Sequence, residues 1–225
     1  MMKKIRYIVF LLSFSILLKA QLNQGVVNYK VINIDTINNL IVPQDSIYSK
    51  FVFKPNKTKW EMGYLNSNEI TKTIVNNEDY YVIMVHLDEK TALHGETKNG
   101  NSINKLLNYV DTSLIVTKTN ITKTIAGRTC KKMYLKFHHS LPPMVIWYDE
   151  FINCNSIIPG AGNNGKNIKG LILEYEIQNS IGKSIITAYS VNFGNVSNTN
   201  FNPNLSGFQI TELEREDGGQ CNGHH

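Results

Sequence analysis

The sequence predicts a mainly β protein, built of short strands and turns with one or two short helices. Runs rich in Val, Ile, Thr and aromatic residues recur along the chain, and such residues suit a pleated, half-buried surface. Turn signals at Asn76-Asn77, Lys98-Asn99-Gly100 and Pro142-Pro143 punctuate those runs. Helical periodicity is confined to one short stretch, Ser102–Val110, where Ile103, Leu106 and Leu107 share a face and Ser102 can cap.

The chain opens with Lys3, Lys4 and Arg6, then the uncharged run Tyr7–Leu18, then Lys19-Ala20-Gln21. This is the layout of a secretory signal peptide cleaved after Ala20. The 12-residue run is shorter than the ~20 residues that a spanning helix needs. The expected organisation is a signal peptide over 1–20, one antiparallel β domain over 21–214 and a flexible polar tail over 215–225. The implied location is the periplasm or the exterior.

The strands follow in order. "VVNYKVINI" places Val27, Tyr29 and Val31 on one face, and the alternation breaks at Asn33, which reads as a strand end or bulge. "SIYSKFVF" comes next. "KWEMGYL" then sets Trp60, Met62 and Tyr64 against Lys59, Glu61 and Gly63. Those three large residues can line an apolar cavity or fill an ordinary core, since both need inward apolar side chains. "YYVIMVHL", "SLIVTKTNITKTI", "CKKMYLKFHH", "MVIWYDEF", "GLILEYEI" and "SIITAYSVNF" complete the series.

One hairpin can be written at residue level. Folding Cys130–His139 back on Met144–Cys154 about Pro142 sets Phe137 against Trp147, Met133 against Phe151 and Cys130 against Cys154. Opposed strand positions lie within disulfide reach, so Cys130 and Cys154 are a candidate bridge. Two free thiols are the alternative. The same register sets Leu135 against Asp149, a poor match. Cys221 is the odd cysteine, in a polar Gly-rich terminus.

Charge and motifs exclude several functions. The chain carries 23 Lys and Arg against 18 Asp and Glu. Four of those bases (Lys3, Lys4, Arg6 and Lys19) leave with the leader, so the processed chain is near neutral and lacks the basic stripe of a nucleic-acid binder. Gly160, Gly162 and Gly165 have the spacing of a dinucleotide loop. That loop must open a helix and be followed about 20 residues on by an acid. Here a strand-like run follows instead, and "SIITAYS" supplies no acid. The six histidines fall into no metal-binding motif. Asp149 and Glu150 are adjacent and diverge on a strand, and Glu174 and Glu176 read as a solvated face. No cofactor, metal or catalytic constellation is expected.

"GVVNYKV" behind a leader, "TIAGRTCKKMYL", "VIWYDEF" and "IIPGAG...IKGLILEYEI" occur in the order seen in the GLPGLI family of exported Bacteroidetes proteins, and the resemblance spans Gly25–Ile177. The name motif has diverged, with Asn167-Ile168-Lys169 before Gly170. The alternative resemblance is to a related group of exported domains that are similar to the periplasmic lipoprotein carriers LolA and LolB. The resemblance implies one curved antiparallel sheet, an incomplete barrel, whose concave face takes something apolar. It carries over no catalytic residue. The expected partners are therefore a lipid or other apolar molecule, or an envelope protein.

Overall fold

The computed structural model describes residues 23–35, 40–44, 46–65, 67, 69–76, 81–96, 115–136, 142–154, 156, 168–178 and 182–212. The candidate helix Ser102–Val110, the glycine triplet, Cys221 and the leader lie outside them.

The described chain forms one sheet of 13 strands. They are β1 (Gly25–Asp35), β2 (Leu40–Pro43), β3 (Ile47–Lys54), β4 (Lys57–Tyr64), β5 (Ile70–Asn76), β6 (Tyr81–His86), β7 (Thr91–Glu96), β8 (Ile115–Ile125), β9 (Arg128–Lys136), β10 (Met144–Asp149), β11 (Leu171–Gln178), β12 (Gly182–Phe193) and β13 (Gln209–Glu212), with one 3-10 turn at Asn198–Phe201. The order across the sheet is β13-β7-β6-β5-β4-β3-β1-β12-β11-β10-β9-β8, with β2 on the flank of β1. Two meanders, β3–β7 and β8–β12, are joined where β1 pairs with both β3 and β12. Every pairing is antiparallel except that of β13 with β7, which is parallel.

The fold is thus the predicted single curved sheet. Its curvature can be read from one contact. Trp60 on β4 and Tyr175 on β11 are separated by β3, β1 and β12, about 19 Å along a flat sheet. Their ring centroids are 5.9 Å apart. The two meanders therefore fold toward each other over the face that carries Val27, Tyr29, Val31, Phe51, Phe53, Trp60, Met133, Leu135, Ile146, Leu173, Tyr175 and Ile186, all buried in one cluster. The alternation predicted for β1 and β4 is what puts these residues on one side.

The convex face is covered in part by the chain after β12. Phe201 and Val196 pack on Val52 and Ile74, and Leu205 and Phe208 pack on Ile83, Val85 and Ala92. Lys59 and Glu61, on this face of β4, are also buried, and they pair with each other.

Three expectations need correction. First, β1 continues to Asp35, because β2 pairs with its end at Ile32–Asp35. Its irregularity lies at Asn28/Tyr29, where β12 ejects Tyr189. Second, β9 and β10 pair with Met144 opposite Leu135 and Ile146 opposite Met133, five residues from the predicted register. The odd shift exchanges faces, so Leu135 meets Met144 instead of Asp149. Pro142 and Pro143, which have no N–H for a ladder, lie in the connection and not in the hairpin. Third, Cys130 therefore does not oppose Cys154, and both are free, buried thiols.

Candidate functional site

The concave face is packed at its centre and opens toward one end of the strands. Along β4 the inward residues record the change. Trp60 is 3% exposed, Met62 is half-buried, and Tyr64 is 47% exposed. Tyr64 stands opposite Ile47 and Met62 opposite Ser49. Ile47, Met62 and Met144 pack on the edge of the core, and Val42 and Ile177 extend the same face outward, both exposed. The predicted lining residues thus divide. Trp60 is core, Met62 is wall and Tyr64 is rim.

The floor of this opening is aromatic. Trp60 lies 5.0 Å from Tyr29, 5.5 Å from Phe51 and 5.9 Å from Tyr175 between ring centroids. The Tyr29 hydroxyl donates to the Ile172 carbonyl at 2.6 Å. Ser49 Oγ, Trp60 Nε1 and the Tyr175 hydroxyl are buried without a hydrogen-bond partner among the described residues. Buried polar atoms rarely go unpaired, and these three come from neighbouring concave-face residues of one apolar cluster. Burial drives the Tyr175 hydroxyl well above its ordinary pKa, so it stays a neutral donor and acceptor.

A second feature lies on the convex face. Tyr48, Glu61, Tyr64, Leu65, Ile70 and Lys72 line a pocket of about 270 Å³. Glu61 is 7% exposed, and both its oxygens are engaged. Oε1 pairs with Lys59 at 2.7 Å, and the Tyr48 hydroxyl donates to Oε2 at 2.7 Å. Lys72 Nζ stands 3.9 Å from Oε1. Burial alone would raise the Glu61 carboxyl, but the Lys59 and Tyr48 hydrogen bonds and the two lysine charges outweigh it and hold the group below its ordinary value. The alternation of β4 places Glu61 on the face opposite Trp60, and the Lys59, Tyr48 and Lys72 side chains close over it there.

The remaining sequence candidates take structural roles. Asp149 is buried, accepts from Arg128 Nε at 2.7 Å and caps the Phe151 amide. Glu150 diverges to Lys131 at 2.6 Å. Glu174 and Glu176 share a face as expected, but Glu174 is buried under Lys123 and Thr187. Lys123 also covers the ring of Trp147 at 4.3 Å. His94 bridges to Glu212 at 2.7 Å and ties β13 to β7. Among the described residues no group of three or more His, Cys, Asp or Glu is placed to hold a metal, and no helix is long and apolar enough to cross a membrane.

Cys130 and Cys154 sit in the core below Tyr29, where burial pushes each thiol up to about 12. Unfolded thiols ionise near 8.5. A raised folded pKa means that the stability held by the neutral thiols is complete below that unfolded value and is lost as pH climbs toward 12. At pH 8 both thiols should resist iodoacetamide in the native protein and react in urea. Intact mass will then show two more alkyl groups after denaturation. Equal labelling with and without urea would show that one or both are bridged or exposed.

No family model matches the chain, and no curated protein matches it. Solved structures do. The chain is similar to PNGF-II at 15% identity and a TM-score of 0.54, over 85% of this chain and 31% of that one. It is similar to an uncharacterized conserved protein from Thermus thermophilus at 7% identity and a TM-score of 0.50, over 89% of this chain and 99% of the other. A domain from Vibrio parahaemolyticus assigned to outer membrane lipoprotein sorting aligns over 80% of this chain and 90% of its own at 8% identity, with a TM-score of 0.35 that supports no inference. At these identities the likeness is one of fold.

Proposed function

We propose that this chain is an exported, non-enzymatic envelope protein that binds a lipid or another hydrophobic ligand at the open end of its concave face. The carrying observation is the floor of that opening. Apolar walls of Ile47, Met62 and Met144 lead down to Trp60, where three buried polar atoms have no partner among the described residues. Methionine walls adapt to varied apolar shapes, and a few polar groups at the base of an apolar site fix a ligand's orientation. The ligand's apolar part lies against Ile47, Met62 and Met144, above the packed Trp60 and Tyr175. The leader-like N-terminus and the resemblance to the GLPGLI family support export and an envelope location.

Native mass spectrometry of the processed protein, purified without detergent and then extracted with solvent, tests this. A released species in the lipid mass range is expected, and Met62→Glu should abolish it while leaving the melting temperature within a few degrees. A bare protein mass, or retention of the ligand by that variant, would sink the concave site.

A second reading is a protein-interaction module. Its support is the outer strand β8, which exposes Ile115 and Ile121 along an edge that, among the described residues, pairs only with β9 and offers backbone groups for strand addition. Crosslinking in native cells that captures a protein on β8, with no lipid released, would favour it. Turnover in a broad hydrolase screen that one point change removes would overturn the non-enzymatic reading.

A further inference from the structure

The convex-face pocket lies across β4 from the proposed concave site, and Tyr64, at the end of that strand, borders both. In the β3-β4-β5 register Lys50, Glu61 and Lys72 stand in one row, and Tyr48, Gly63 and Ile70 in the next. At Gly63 the backbone of Glu69 and Ile70 packs close against the place a Cβ would take, and the pocket of about 270 Å³ is lined by Tyr48 and Ile70 on either side of this row together with Glu61, Tyr64, Leu65 and Lys72. Its walls are of two kinds. Ile70, Leu65 and the Tyr64 ring are apolar, and Leu65 is 61% exposed. Tyr48, Glu61 and Lys72 are polar.

The charge balance decides what the pocket takes. Three lysines (Lys50, Lys59 and Lys72) surround one carboxylate. Glu61 has both oxygens engaged, by Lys59 and Tyr48, and its charge is already matched by Lys59. Lys72 Nζ is 3.9 Å from that carboxylate, with its side chain 30% exposed, and that distance is beyond hydrogen-bond reach. A ligand anion can reach it. We propose that this pocket binds the anionic head of a medium-length amphiphile, with Lys72 holding the head and Ile70, Leu65 and Tyr64 covering the first carbons of the tail. The volume lies just under the ~300–1,000 Å³ of ordinary small-molecule sites, which suits a medium chain and not a whole diacyl lipid.

The probe is octanoate, titrated into the processed full chain by calorimetry and by methyl NMR of Ile70. Acetate, octanol and octylammonium serve as controls for the head alone, the tail alone and the opposite charge. Saturable octanoate binding that moves the Ile70 signal is expected, with octanol and acetate each weaker by about tenfold or more. Lys72→Met, which keeps the apolar stem, should lose octanoate affinity by about the same factor, and Lys72→Arg should keep it. Equal binding of octanoate and octanol, an unchanged affinity in Lys72→Met, or no binding at all would overturn the proposal. Met62→Glu separates the two sites. The outer pocket should bind octanoate as before in that variant, and loss of the Ile70 response there would assign the ligand to the concave opening instead.

Discussion

Trp60→Ala will destabilise the protein by about 4 kcal/mol, within the range for deleting a buried large aromatic. That is a large share of the ~5–15 kcal/mol that a domain has in total. Trp60 is 3% exposed and touches Tyr29, Phe51 and Tyr175. Tyr175 belongs to the opposite meander, so the truncation removes packing inside one half of the sheet and also the contact that holds the halves together. Trp60→Phe should cost much less, about 1–2 kcal/mol. It keeps most of the ring and removes an indole N–H that has no partner among the described residues. Urea unfolding followed by circular dichroism measures both. If alanine and phenylalanine cost the same, the loss would come from the N–H, and Trp60 would not be the packing bridge described here.

Gly170→Ala will cost about 3 kcal/mol or more, because two effects add at this residue. Its φ is +125°, a conformation that alanine enters only under strain. A Cβ there would also meet the Asp149 carbonyl oxygen at 2.7 Å and Tyr148 Cδ2 at 2.9 Å. The backbone cannot relax easily. The Gly170 N–H donates to the Cys154 carbonyl, its own carbonyl accepts from Ser156 Oγ at 2.7 Å, and that same Oγ accepts from the Ile172 amide. Gly127 is the control. Its φ is +75° with nothing within 4 Å of a Cβ, so Gly127→Ala carries the backbone strain alone, about 1–2 kcal/mol. Parity between the two substitutions in a denaturant series would show that the close approach at Gly170 is relieved by movement.

Gly170 also accounts for part of the glycine-rich stretch in the sequence. It opens β11, where the chain must pass tightly against β10, and its job is steric. The sequence already points that way, because a strand and not a helix follows.

What the sequence determined by itself was set by local periodicity. The alternation of Val27, Tyr29 and Val31, and of Trp60, Met62 and Tyr64, fixes which side chains face inward whatever the strand pairs with. The β-branched runs fix most strand positions, although β2, β7 and β13 carry little signal because Leu40–Pro43, Thr91–Glu96 and Gln209–Glu212 are short, polar or exposed.

Tertiary structure alone decided the rest, because those features depend on contacts between distant segments. Register is one. The β9–β10 pairing is set by how Met133 and Leu135 meet Ile146 and Met144 across the core, and an error of five residues placed Cys130 opposite Cys154. Burial of charge is another. Glu174 reads as a solvated position on an alternating strand, and is buried because Lys123 and Thr187 from other strands cover it. The division of Trp60, Met62 and Tyr64 into floor, wall and rim is the last. The three residues are equivalent in the strand pattern, and they differ because the sheet curls shut over Trp60 and stays open at Tyr64.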